Sequence, residues 1–495
     1  MTKLELLKAV DFGQSVAEQE LDQLHKYFVR TAQWEELFQG KTDIVYGAKG
    51  SGKSALYRLL EDNSDELDDA GILMIFAENP RGATAFADLQ TEPPAGELEF
   101  VNLWKLYLLT LLGGYFIRAG INSPKSKKVI DALRSSGLLT PEGSLATLFS
   151  RARRYISKFF NVESFEPNMK FNEFTGTPEG VGLKISFRDP GSDEAKKGAV
   201  SISELLQYAD TAIGESEYKI WFLFDRLDVA FAESADLEAN ALRALFKVYL
   251  DFASYRNIKL KLFLRSDIWN RITLGGFREA THITRTTSIT WEPPAILNLI
   301  VRRFLNNAAI LEYFSISAES VKSLEQQESL FYRIFPRKID SGKNPETLEW
   351  LISRTADADG VAAPRDIINL INAAIARQIK HLELGGRLTT DENLFQRSIM
   401  KDALSDSSKE KVEKHLFAEY PKYRPWLEAL RGGKSQYNIK ALAAVWGIGK
   451  EETLSRAQSL EEIGFWSKEN NGLEPEFWIP LIYREGLEIK QGKAT

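Results

Sequence analysis

An α/β fold is predicted, a parallel sheet with flanking helices followed by a helical lid and a C-terminal winged-helix domain, and three observations predict it. A glycine-rich turn at residues 47–54 separates a short apolar run from a helical pattern. Apolar runs of strand length then alternate with helix-length periodic segments as far as about residue 264. Beyond residue 294 the pattern is helical and closes on short aromatic strands. Strands separated by helices argue for parallel pairing through crossovers.

Residues 15–38 carry helical periodicity, with Leu21, Leu24, Tyr27, Phe28, Trp34 and Leu37 on one face. Asp43-Ile44-Val45-Tyr46 is the first strand, and Ala55 to Leu60 continues a helix. Between them stands Gly47-Ala48-Lys49-Gly50-Ser51-Gly52-Lys53-Ser54, a complete G-x-x-x-x-G-K-[ST] phosphate-binding loop. Glycines let the backbone curl until successive N–H groups point inward at phosphate oxygens. The following helix N-terminus, entered through Ala55, adds favourable potential for the same charge. In this frame Lys53 reaches the β- and γ-phosphates and the Ser54 hydroxyl binds Mg²⁺. The expected ligand is ATP with Mg²⁺, on a P-loop NTPase sheet.

Gly71 to Ala77 reads as a second buried strand. Residues 91–200 interrupt the alternation with an apolar helix around Leu106–Ile117, a basic helix around Arg151–Arg154, and a hairpin over Phe171–Phe187. The apolar stretch is about twelve residues, against roughly twenty for a bilayer span, so it reads as a buried helix. A helix at 202–214, a strand at 218–224, a helix at 236–254 and a strand at 258–264 complete the alternation. Organisation is therefore expected as a helical entry over 1–40, an ATPase core over 41–293 with an insertion at about 91–200, a lid over 294–394, and a winged-helix-like domain over 395–495.

Composition narrows the class. The 495 residues are 44% hydrophobic and 27% charged, ordinary for a globular protein, and net charge is −6. No global basic field draws the chain to DNA or acidic membranes. Cysteine is absent, which excludes disulfides and thiolate metal sites and fits a reducing cytoplasm. The N-terminal Met1 to Lys8 lacks the apolar region of a signal peptide.

Hydrolysis needs more than a phosphate loop. Ile220 to Phe224 supplies five apolar residues followed by Asp225, a carboxylate placed for Mg²⁺ at the carboxyl edge of a sheet. Asp228 comes three residues later and is the candidate to orient or deprotonate the attacking water. The next strand ends in Arg265, which either senses the γ-phosphate or pairs with Asp225 or Asp267. Ala363-Pro364-Arg365-Asp366 opens a lid helix. Arg365 there reaches the nucleotide across the domain junction, or pairs with Asp366 or a loop acid. Arg302 and Arg303 read as a solvated helix face rather than arginines acting in trans on a neighbouring subunit.

Taken together these motifs resemble the STAND and AAA+-like signalling ATPases. The segment Phe12-Gly13-Gln14-Ser15-Val16-Ala17-Glu18, with Tyr27-Phe28-Val29 and the loop from Ile44 to Leu56, is similar to a group of bacterial P-loop ATPases akin to the KAP type. The resemblance covers roughly residues 10–385, weakly across the insertion. It implies a defence-associated ATPase in which Lys53, Ser54, Asp225, Asp228 and Arg365 keep their roles. KAP-type members commonly carry membrane helices in the core; this chain has an insertion there without a span, and no membrane partner is expected.

Residues 424–483 fit a winged helix, with helices at 424–430, 439–446 and 450–463 and wing strands around Phe465–Ser467 and Phe477–Pro480. The helix in the recognition position carries Lys450 and Arg456 against Glu451, Glu452, Glu461 and Glu462, a net of −2. Like charges facing phosphates oppose binding, so a protein effector or self-association is favoured as partner over DNA. The rival expectation is a DNA-binding ATPase resembling replication initiators or DNA-remodelling loaders.

Overall fold

The structure is a computed structural model. It describes residues 1–16, 20, 24–78, 96–139, 144–160, 185–187, 199–227, 235–274, 276–386, 393–469 and 475–494. Two compact units result, each assembled from separated stretches of chain. One comprises Gln33–Tyr46 and Leu56–Ser288; the other gathers Met1–Ala32, Gly47–Ala55 and Ile289–Thr495.

The first unit holds the sheet. Its strands are β1 (Ile44–Gly47), β2 (Ile72–Phe76), β5 (Lys219–Phe224), β6 (Ile258–Arg265) and β7 (Thr286–Ser288), with β3 (Ile185–Ser186) and β4 (Val200–Ser201) forming a separate parallel pair. The order is β2-β5-β6-β1-β7. β2 with β5, β5 with β6, and β1 with β7 all pair parallel. This is the α/β, P-loop type of sheet that the alternation predicts. β5 buries every residue after Lys219, as a strand covered on both faces must. Trp104 and Phe224 meet edge to face at 5.8 Å, and the Trp104 indole donates to the Ala241 carbonyl at 2.8 Å.

The apolar stretch belongs to a helix, Glu97–Ala119, that is longer than the pattern suggests. By length and composition it could cross a membrane, yet 67% of its most apolar window is buried inside the structure. It packs on helices Ile202–Glu215 and Ala235–Phe252. The first strand and the turn of the expected 171–187 hairpin lie outside the described residues.

The second unit has two cores. One gathers helices Pro293–Leu305, Leu324–Ile334 and Pro364–Glu383 with Leu6, Leu7 and Phe12 from the N-terminus. Helix Lys3–Ala9 is closed by a Thr2–Glu5 capping box. Within the helical periodicity read over 15–38, the described residues form helices at Leu24–Tyr27 and at Ala32–Phe38, the second of which belongs to the sheet unit from Gln33 onward. The other core is C-terminal, around Trp466, Tyr437, Phe465 and Phe477. Helices Arg424–Glu428, Ile439–Trp446 and Lys450–Glu462 fall where expected. β9 (Ser467–Glu469) and β10 (Glu476–Trp478) pair antiparallel, joined through residues whose tip, 470–474, lies outside the described ones. Two further strands complete a four-stranded sheet: β8 (Lys434–Asn438), which is antiparallel to β10, and β11 (Lys490–Lys493), which is parallel to β8.

Candidate functional site

β1 ends at Gly47 and the chain turns through the glycine-rich loop into helix Lys53–Asp62. Gly50 and Gly52 sit at φ +81° and +103°, where a side chain would be strained. A Cβ at Gly47 would stand 2.2 Å from Ser51 Oγ, itself a fully buried hydroxyl with no hydrogen-bond partner. The Lys53 ammonium donates to the carbonyls of Gly47 at 2.8 Å and Ala48 at 2.9 Å, which draws it over the loop's own turn.

The loop's neighbours within its unit come from far downstream. The Trp291 indole donates to the Ser51 carbonyl at 2.8 Å. Arg365 packs on Gly50 so closely that a Cβ there would lie 2.9 Å from the arginine Cβ, with Ala363 next to it. Lys49 forms an ion pair with Glu419. Of the roles expected for Arg365, pairing with Asp366 is not the one observed. Asp366 is buried and pairs with Lys411 at 2.8 Å, whereas Arg365 Nε donates to the Ser15 carbonyl at 3.4 Å.

Arg303 is the clearest correction. It is 4% exposed rather than solvated, and its guanidinium grips Glu20, also buried, at 2.8 and 2.9 Å while donating to the Phe12 carbonyl at 2.8 Å. Arg302, exposed as expected, donates to the Phe28 carbonyl at 2.9 Å. Asn307 exchanges hydrogen bonds with the Asp11 backbone, and Asn372 donates to the Gly13 carbonyl. The Phe12–Ser15 segment is therefore held by its carbonyls on lid helices. Periodicity alone did not show these contacts.

In the sheet unit, β5 delivers Asp225, buried to 6% exposure. Arg226 follows at φ +57°, a left-handed turn that a non-glycine residue adopts at a cost of about 1–2 kcal/mol. Asp228 lies outside the described residues. A second carboxylate, missed in the sequence, is Glu78 at the end of the neighbouring β2, 1% exposed. Tyr57, whose hydroxyl donates to the Glu78 carbonyl at 3.3 Å, is held neutral well above the usual phenol range by burial first, then by Asp225 and Glu78. β5 and β6 run parallel, so Asp225 and Arg265 leave the same edge of the sheet. Arg265 makes a two-pronged pair with Asp267 at 3.0 and 2.7 Å, one of its two expected roles.

In the segment Lys411–Phe417, just before Glu419, burial lowers the His415 imidazole from 6.5 to about 4, helped by Lys411, Lys49 and Arg365 and opposed by Asp366. Since the fold disfavours the charged form, the unfolded chain binds more protons between those two values, and stability is lost as pH falls from 6.5 towards 4. His415→Gln should flatten the fall of the thermal midpoint across this window. Parallel melting curves of the variant and the parent at every pH would remove His415 from the acid response.

No protein-family model matches the sequence, and no curated protein matches it. Among solved structures the chain is similar to a Walker-type ATPase of Pyrococcus abyssi, at 12% identity over 96% of this chain and 99% of that one, with a TM-score of 0.40. The ORC1 protein of Aeropyrum pernix in complex with DNA matches at 9% identity, over 96% of both chains, with a TM-score of 0.36. Cdc6p of Pyrobaculum aerophilum matches at 12% identity over 96% of this chain and 97% of that one, with a TM-score of 0.29.

Proposed function

We propose that this chain is a cytoplasmic, Mg²⁺-dependent ATPase whose nucleotide state sets the position of its helical lid and winged-helix-like C-terminal module. The observation that carries the reading is the company the phosphate loop keeps. Trp291 just before helix Pro293–Leu305, Arg365 in helix Pro364–Glu383 and Glu419 in the C-terminal part all touch residues 49–52. A ligand that reshapes the loop acts directly on them.

The donor set fits a triphosphate. The left-handed glycines leave room for oxygens against the backbone, Lys53 is at the loop, and the helix entered at Lys53 is ten residues long. Ser54 and Asp225 would hold Mg²⁺, which when bound would neutralise charge on the β- and γ-phosphate oxygens. Lys53 orients the phosphates, and Asp228 takes the proton of the attacking water. Arg365 reports the γ-phosphate to the lid helix; Arg265 holds the β6 edge through Asp267 and serves as a second sensor if that pair opens.

The C-terminal module is proposed to act on a protein, an effector or a second copy. Arg456, a basic residue on the helix in the recognition position, is spent on Glu452 and on the Trp426 ring at 4.8 Å, which leaves that helix an acidic surface. Antiviral defence is the setting that the STAND and KAP-like resemblance suggests. The DNA-binding reading predicts ATP-stimulated, salt-dependent affinity for plain duplex DNA, and such binding would replace the protein-contact reading.

The test is turnover by Asp225→Asn. Hydrolysis should fall about a hundredfold or more while ATP affinity with Mg²⁺ changes by no more than several-fold. Hydrolysis at the parent rate would remove Asp225 from the site.

A further inference from the structure

The phosphate loop carries a lysine besides the one the motif requires, and the structure gives it a partner. Lys49 pairs with Glu419, 370 positions downstream. Glu419 comes just after the π-helical segment Lys411–Phe417, which continues helix Arg397–Glu410 and enters the C-terminal core through Val412, Leu416 and Phe417. π turns are rare and occur mostly at functional sites, and a register step there re-aims the residues C-terminal to it. The start of the same segment is tied through Lys411 to Asp366, next to the arginine that packs on Gly50. The segment thus meets the loop twice, directly at Lys49 and indirectly through the Arg365–Asp366 pair of positions.

We propose that Lys49 and Glu419 form a latch that holds this segment on the phosphate loop and that a bound nucleoside triphosphate opens. The inference rests on reading the loop as a triphosphate site. Glu419 brings a negative charge to a loop whose backbone donors suit phosphate, so carboxylate and triphosphate compete for the same cation. The pair is only partly shielded, with side-chain exposures of 38% and 20%, so it is weak enough to break. A triphosphate presents several charged oxygens to Lys49 where Glu419 presents one carboxylate, and repulsion then drives Glu419 outward. Release frees this segment, and with it the C-terminal core that it helps to build, for a partner.

The experiment measures binding of a non-hydrolysable ATP analogue and amide hydrogen exchange over residues 411–420, in the parent chain and in Glu419→Gln. In the parent, the analogue should speed exchange of this segment. Glu419→Gln should show fast exchange without nucleotide and bind the analogue about fivefold more tightly. The charge-swapped pair, Lys49→Glu with Glu419→Lys, should restore slow exchange without nucleotide, a gain that a misfolded variant could not show. Binding by the parent with identical affinity and exchange in Glu419→Gln overturns the latch alone. No binding by the parent overturns the triphosphate reading, and the latch with it.

Discussion

Lys53→Ala should lower ATP affinity by about a hundredfold, the loss of one charge-assisted contact to phosphate of roughly 3 kcal/mol. The fold should survive the change. Lys53 is only partly buried, and the carbonyls of Gly47 and Ala48 to which it donates belong to the loop itself. Water can take over those bonds, so the thermal midpoint should move by less than about 2 °C for a chain of this size. Calorimetric titration with ATP and Mg²⁺ is the direct check. An affinity equal to the parent's would refute the loop as the triphosphate site, however well the motif reads.

The second large effect concerns stability. Arg303→Met removes one partner of a pair in which both side chains are 4% exposed, leaving the Glu20 carboxylate buried without its cation. Breaking a buried pair from one side costs about 3–5 kcal/mol. The Phe12 carbonyl loses the Arg303 donor as well, so the N-terminal segment should loosen while Asn372, Arg365 and Asn307 still hold it. Replacing both partners, Arg303→Met with Glu20→Met, should recover most of the loss, because no unpaired charge remains. Urea midpoints of the two variants and the parent decide it. A single variant as stable as the parent would show that the pair contributes nothing.

Features that depend on local pattern were legible in the sequence. The strand–loop–helix unit, the buried run ending in Asp225 and the strand ending in Arg265 each declare themselves within ten residues. The features that escaped depend on distant partners or on backbone pairing by polar residues. β7 is Thr-Thr-Ser, β8 is Lys-Ser-Gln-Tyr-Asn and β11 is Lys-Gln-Gly-Lys, so no run of apolar residues marks them. Arg303 looked like a surface residue because its partner, Glu20, is 283 positions away. Glu78 was hidden for another reason: a single acid after an apolar run resembles a strand end until its burial is known. The Gly50–Arg365 packing could be guessed from Pro364 opening a helix, but the link from Lys49 to Glu419 could not.

The interval between the loop and the residues that cover it also bears on how the chain is made. Ser51 and Trp291 are 240 positions apart, and Lys49 and Glu419 are 370. At translation rates of about 5–20 residues per second, the loop would wait on the order of ten seconds or more before its first covering residue emerges. The sheet strands leave the ribosome in that interval, and the N-terminal segment has no lid helix to grip. A nascent chain stalled before residue 291 would display a phosphate loop without Trp291, Arg365 or Glu419 to cover it. On the proposed function, the loop is therefore made early and the residues that would report its occupancy are made late, so that a half-made chain could not send the signal of a finished one.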